Sequence, residues 1–164
     1  MANNWEVSLT PDAFVPDATA HPDRGVVEDR IYLAFDADTP ETCYCKAFRV
    51  PTAHTGTGTL KVDVCYSMAT ATSGTVEFEA ACESITDGDH DLDAGSNFDT
   101  ASAGTETVPG TAGNSSTITI SPSSDSAAAG DYFRLSLARD ADDGTNDTAT
   151  GDARVWWVSV YEEA

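Results

Sequence analysis

The chain has 164 residues, enough for one domain that withdraws roughly 70% of its unfolded surface from water on folding, so a core needs no staple. Its 28 Asp and Glu against 8 Lys and Arg give a formal net charge of −20. That field repels phosphate backbones and anionic headgroups, which argues against nucleic acid and membrane surfaces as partners.

The opening stretch MANNWEVSLT has no basic cluster and no long apolar run, so no secretory leader is expected and synthesis in a cytoplasm is. No stretch approaches the ~20 apolar residues of a membrane span. Period-2 alternation then recurs along the chain while helical periodicity is almost absent. NWEVSLT alternates Trp5, Val7 and Leu9, and DRIYLAFD alternates Ile31, Leu33 and Phe35. In CYCKAFRV, Tyr44, Phe48 and Val50 share one face. TLKVDVCYSM sets Leu60, Val62, Val64, Tyr66 and Met68 against Lys61, Asp63, Cys65 and Ser67. TVEFEAACESI sets Val76, Phe78, Ala80 and Cys82 against Glu77, Glu79 and Glu83, and these two runs are expected to pair as a hairpin with one wet face.

STITIS and DYFRLSLARD follow, and ARVWWVSVYEE ends the series. Strict alternation there puts Trp156, Val158 and Val160 inward and Val155, Trp157 and Tyr161 outward. About eight strands separated by turn-rich segments predict one all-β domain over 1–164, an antiparallel β-sandwich of jelly-roll type. The connections from Asp87 to about Gly113 and from Asp140 to Asp152 are long for hairpins.

Cys43 and Cys45 stand two apart in a strand, on one face, where parallel side chains do not bridge. No second ligand pair completes a zinc site, so Cys43, Cys45, Cys65 and Cys82 are read as free, packed thiols.

PDAFVPD (11–17), TGTGTLKVDVCYSMATATSGTVEFE (55–79), ITDGDHDLDAGSNFDT (85–100), TVPGTAG (107–113), GDYFRLSLARD (130–140) and DTATGDARV (147–155) resemble a family of small bacteriophage virion proteins. The resemblance implies a structural role in the head or tail and supplies no catalytic residues. The sequence departs from the family at Cys43, Cys45, Trp156 and Trp157.

The ladder TDGDHDLDAG places Asp87, Asp89, Asp91 and Asp93 on alternate positions, yet it lacks the Gly and Glu that a helix–loop–helix calcium loop needs at its sixth and twelfth places. It reads first as turn chemistry. Asp87 and Asp89, together with Asp140, Asp142 and Asp143 of RDADDG, are the calcium candidates if an irregular oxygen cage forms. No nucleophile elbow or zinc-protease motif appears, so no enzyme and no other cofactor are expected. Arg139, inward by alternation at a strand end, is read as a structural anchor paired with Asp140, Asp152 or an interface acid.

These readings converge on a non-enzymatic virion component, first a capsid decoration (cement) protein. It is expected to bind the major capsid protein and other virion proteins as a homo-oligomer, a trimer, through Trp157, Tyr161 and Val155. The alternative is a tail or head fibre module acting as a carbohydrate-binding adhesin, with Trp157, Tyr132 and Tyr44 as platforms.

Overall fold

Alternating apolar residues commit each strand to one buried face, and here the strands pair into two sheets that share a core. The structure, a computed structural model, describes residues 3–164. The strands are β1 (Asn3–Leu9), β2 (Phe14–Pro16), β3 (Asp23–Val27), β4 (Arg30–Phe35), β5 (Glu41–Cys45) and β6 (Phe48–Arg49). After these come β7 (Thr59–Met68), β8 (Thr75–Ile85), β9 (Ser102–Thr107), β10 (Ser115–Ile120), β11 (Tyr132–Arg139) and β12 (Ala153–Glu163).

The first sheet has the order β10-β7-β12-β4-β3, with β1 lying along the later half of β12. The second has the order β2-β5-β11-β8-β9, with β6 beside the start of β11. Neighbouring strands are antiparallel throughout. The β-sandwich expectation therefore holds, as two layers around one apolar core.

In that core the inward set of β7 meets that of β8. Phe78 takes Phe35 edge-on at 5.3 Å between ring centroids and lies 6.0 Å from Tyr66. Such pairs contribute about 0.5–1.5 kcal/mol beyond the area they bury. At one side of the sandwich β9 and β10 approach so closely that a Cβ at Gly104 would come within 2.8 Å of Ile118.

β7 and β8 do not form the expected hairpin. β7 lies between β10 and β12, and β8 lies between β11 and β9, so neither has a free edge for the other. Residues 69–74 cross from one sheet to the other, which turns two runs of the same pattern into facing layers. The wet face assigned to β8 is also largely dry: Glu77 is 5% and Glu83 3% exposed, covered by segments of the same chain.

A second correction concerns β12. Val155 pairs with Tyr66 and Trp157 with Cys65, so Trp156 is one residue too many for the ladder. This β-bulge breaks the alternation. Ala153 and Val155 point inward before it and Val158, Val160 and Glu162 after it, leaving both tryptophans outward. Val155, expected at an outer interface, is 1% exposed in the core.

Candidate functional site

The bulge gives the outer face of the first sheet a floor that strict alternation would not. Trp156 and Trp157, with Arg154 and the Ser67 hydroxyl of β7, lie at the base of a cleft of ≈ 510 Å³. The β3–β4 hairpin supplies one wall through Val27 and Arg30, and the turn entering β10 supplies the other through Asn114 and Ser115.

Trp156, Ser67 and Arg154 are held in place. Trp156 Nε1 donates to Ser67 Oγ at 2.9 Å, and its ring lies against Tyr32 with centroids 5.2 Å apart. The Arg154 guanidinium stands over the same Tyr32 ring at 5.0 Å, within cation–π range. Tyr32 owes its position to Gly25, its partner across the hairpin, because a Cβ at Gly25 would run into the ring. Trp157 keeps 51% of its surface open to water. A fixed aromatic floor, an exposed indole face and hydroxyl, amide and guanidinium groups around it can hold a flat ligand that has both C–H and polar edges.

The outer face of the second sheet differs. Tyr44 stacks on Phe98 with centroids 5.5 Å apart, and Arg134 lies over Phe98 at 5.1 Å while pairing with Glu83 at 2.7 Å. Glu83 also accepts the Asn97 amide at 2.7 Å, and the Tyr44 hydroxyl donates to Asp17 at 3.0 Å. Tyr44 is thus spent on tying down the loop of residues 86–101 and is not an open platform. Tyr132 is 51% exposed, with Arg49 over its ring at 5.9 Å.

The acidic candidates separate. Asp140 and Asp143 come together with Glu77, their carboxylate oxygens within 4.8 Å of one another, whereas Asp87 and Asp89 lie in a distant turn and join no such group among the described residues. Three carboxylates so close suit a hard cation chemically. Much of the group is engaged already: Asp143 accepts the amides of Thr145 and Asn146, which lowers its carboxyl, and Glu77 accepts the Thr105 hydroxyl at 2.8 Å. A hydrogen bond shared with Asp142, then burial and the charges of Glu79 and Glu77, push Asp140 up to about 6.

Arg139 is fully buried, and its partner is Asp147 rather than Asp140 or Asp152. It also donates to the carbonyls of Phe35, Asp36, Ala149 and Gly151, fastening residues 140–152 to the end of β4. Of the predicted interface set, Trp157 is exposed and Tyr161 half-buried with its hydroxyl donating to Asp63, while Val155 is withdrawn. Trp156, Tyr32, Arg154 and Arg30 were missed as a group. The Trp–Trp doublet was the available signal, since one tryptophan too many is what a bulge displays.

No family model and no curated protein matches the sequence. Solved structures of similar fold do. A family 6 carbohydrate-binding module of Clostridium stercorarium, solved with cellobiose, is 9% identical with a TM-score of 0.55, over 96% of this chain and 94% of that one. A family 35 module from Cellvibrio japonicus is 9% identical with a TM-score of 0.53, over 98% and 95% of the two chains. The C-terminal family 6 module of a marine laminarinase from Zobellia galactanivorans is 9% identical with a TM-score of 0.50, over 96% and 100%. At such identities the likeness is one of fold.

Proposed function

We propose that this chain is a non-catalytic carbohydrate-binding module and that the cleft over Trp156 and Trp157 is its binding site. The observation that carries this reading is the exposed indole of Trp157 beside a floor already fixed by Tyr32, Ser67 and Gly25. A pyranose lays its C–H face on such a ring and turns its hydroxyls to the surrounding donors and acceptors. The fold shared with carbohydrate-binding modules supports the reading.

The capsid-decoration expectation rested on an apolar docking stripe. With Val155 in the core, Trp157 and Tyr161 are separated by Ser159 and neighboured by Asp63, a surface better suited to a hydroxylated ligand than to a dry protein interface. The resemblance to virion proteins favours an adhesin carried on a phage tail or head fibre, for which copy number per particle is the direct test.

The reading itself is tested on a glycan array with the intact chain, Trp157→Ala and Trp156→Ala. Binding by the intact chain, lost in both variants while their melting profiles hold, is expected. Absence of any glycan signal would sink the reading.

A further inference from the structure

The cleft has a charge opposite to that of the chain around it. Of the eight basic residues, Arg24, Lys61, Arg134 and Arg139 are paired with Asp12, Glu163, Glu83 and Asp147. Arg49 bonds the Gly130 carbonyl and Lys46 is exposed between β5 and β6, and neither lines the cleft. Arg30 and Arg154 have no carboxylate within 4.0 Å among the described residues, and both line the cleft. None of the 28 acidic residues does. Glu28 and Asp29, next to Arg30 at the hairpin tip, are exposed and stand outside the lining.

In a chain with more than three acids for every base, two unpaired arginines meeting in one acid-free cleft call for a partner. Arg154 is moreover held over the Tyr32 ring at 5.0 Å, and the N–H edge of its guanidinium meets no carboxylate among the described residues. That edge is a planar fork matched to two oxygens of an anion.

We infer that the cleft selects an anionic glycan, one whose carboxylate or sulfate is held by Arg30 and Arg154 while a sugar ring lies on Trp157. The inference rests on the carbohydrate-binding reading of this cleft and names the ligand class it takes. The overall negative charge does not prevent it. At physiological salt the Debye length is about 8 Å, so distant acids are screened from a ligand that touches the arginines directly.

The test is affinity electrophoresis and calorimetry with the intact chain against four polymers. Polygalacturonate and its carboxyl-reduced form isolate the carboxylate, and chondroitin sulfate and desulfated chondroitin isolate the sulfate ester. Each charged polymer is compared with its partner in 0.15 M salt. Expected is a preference of about tenfold or more for the more highly charged member of one pair, reduced about tenfold by Arg30→Gln and again by Arg154→Gln, as charge-assisted hydrogen bonds are worth. Trp157→Ala should abolish binding to all four polymers alike. Which pair shows the preference tells uronate from sulfate.

Equal binding within both pairs, unaffected by Arg30→Gln, would overturn the inference and leave the carbohydrate reading standing. Binding of charged polymers that survives Trp157→Ala would mark plain ion exchange and overturn it too. Failure of every polymer, together with a silent glycan array, would remove both. Arg30 is exposed, so its variant reports on binding even where Arg154→Gln disturbs the sheet.

Discussion

Arg139 and Asp147 hold each other by two N–H···O bonds of 2.8 Å each, and neither side chain reaches solvent. Removing one partner strands a charge in the core, which costs about 3–5 kcal/mol. Asp147→Ala should therefore lower the urea midpoint sharply with little change in the slope of the transition. Arg139→Met paired with Asp147→Leu should recover part of the loss, since no lone charge is then left inside. A loss below about 1 kcal/mol in the single variant would show the pair to be dispensable.

Gly25 leaves room for the ring of Tyr32, and Tyr32 carries Trp156 and Arg154. Gly25→Ala places a methyl where the ring now lies, at a strand position where Ala is otherwise tolerated. Glycan affinity should fall about tenfold or more in calorimetry while the melting temperature moves by only a few degrees.

The β3–β4 hairpin turns through Glu28 and Asp29, both with positive φ, at 47° and 63°. A two-residue turn of this hand favours Asn-Gly, and the left-handed conformation costs an ordinary residue about 1–2 kcal/mol. Replacing Glu28 by Asn and Asp29 by Gly together should stabilise the chain by about 1 kcal/mol, or ~2–4 °C in a thermal melt. Val27 and Arg30 are kept, so glycan binding should not change.

Two carboxyls impose opposite pH dependences. Asp140 ionises at about 6 in the folded chain but near 3.8 when unfolded, so between those values the folded state binds the extra proton. Stability should fall as pH rises from about 4 to 6, and Asp140→Asn should remove that slope. For Glu162, burial alone would raise the carboxyl, but hydrogen bonds from Thr55 and Gly58 outweigh it and hold it at about 2. Its contribution is present above about 4.5 and is lost as pH falls toward 2. Melting temperatures of Asp140→Asn and Glu162→Gln from pH 2 to 7 separate the two limbs.

All four cysteines are free and buried. Burial pushes the Cys45 thiol up to about 11 and raises Cys43, Cys65 and Cys82 as well. A thiol reagent at pH 8 should find none of them in the folded chain and all four in denaturant. Rapid labelling of the native chain would contradict the packing described for β5, β7 and β8.

The long alternating runs were legible in the sequence because their apolar residues recur over enough positions to define a face, as in β7 and β11. β9 reads SAGTET and offers no large apolar residue, and β3 is an edge strand whose residues are mainly exposed, so neither carries a burial pattern to detect. Sheet membership was not legible either. Two strands close in sequence show the same pattern whether they pair edge to edge or face each other across a core. At the candidate site Trp157 was foreseen from alternation. Its companions were not, because Tyr32, Arg30 and Arg154 meet only after β3 folds onto β4 and β4 onto β12.

Without Trp156, β12 would run as an unbroken alternation: Ala153 and Val155 inward, Trp157 outward, then Val158, Val160 and Glu162 inward. Every core position would keep its register on β7. The second tryptophan is in this sense a supernumerary residue, a bump on a strand already complete for folding. Half of the aromatic floor can then be gained or lost by inserting or deleting a single codon, with the sandwich beneath it unaltered.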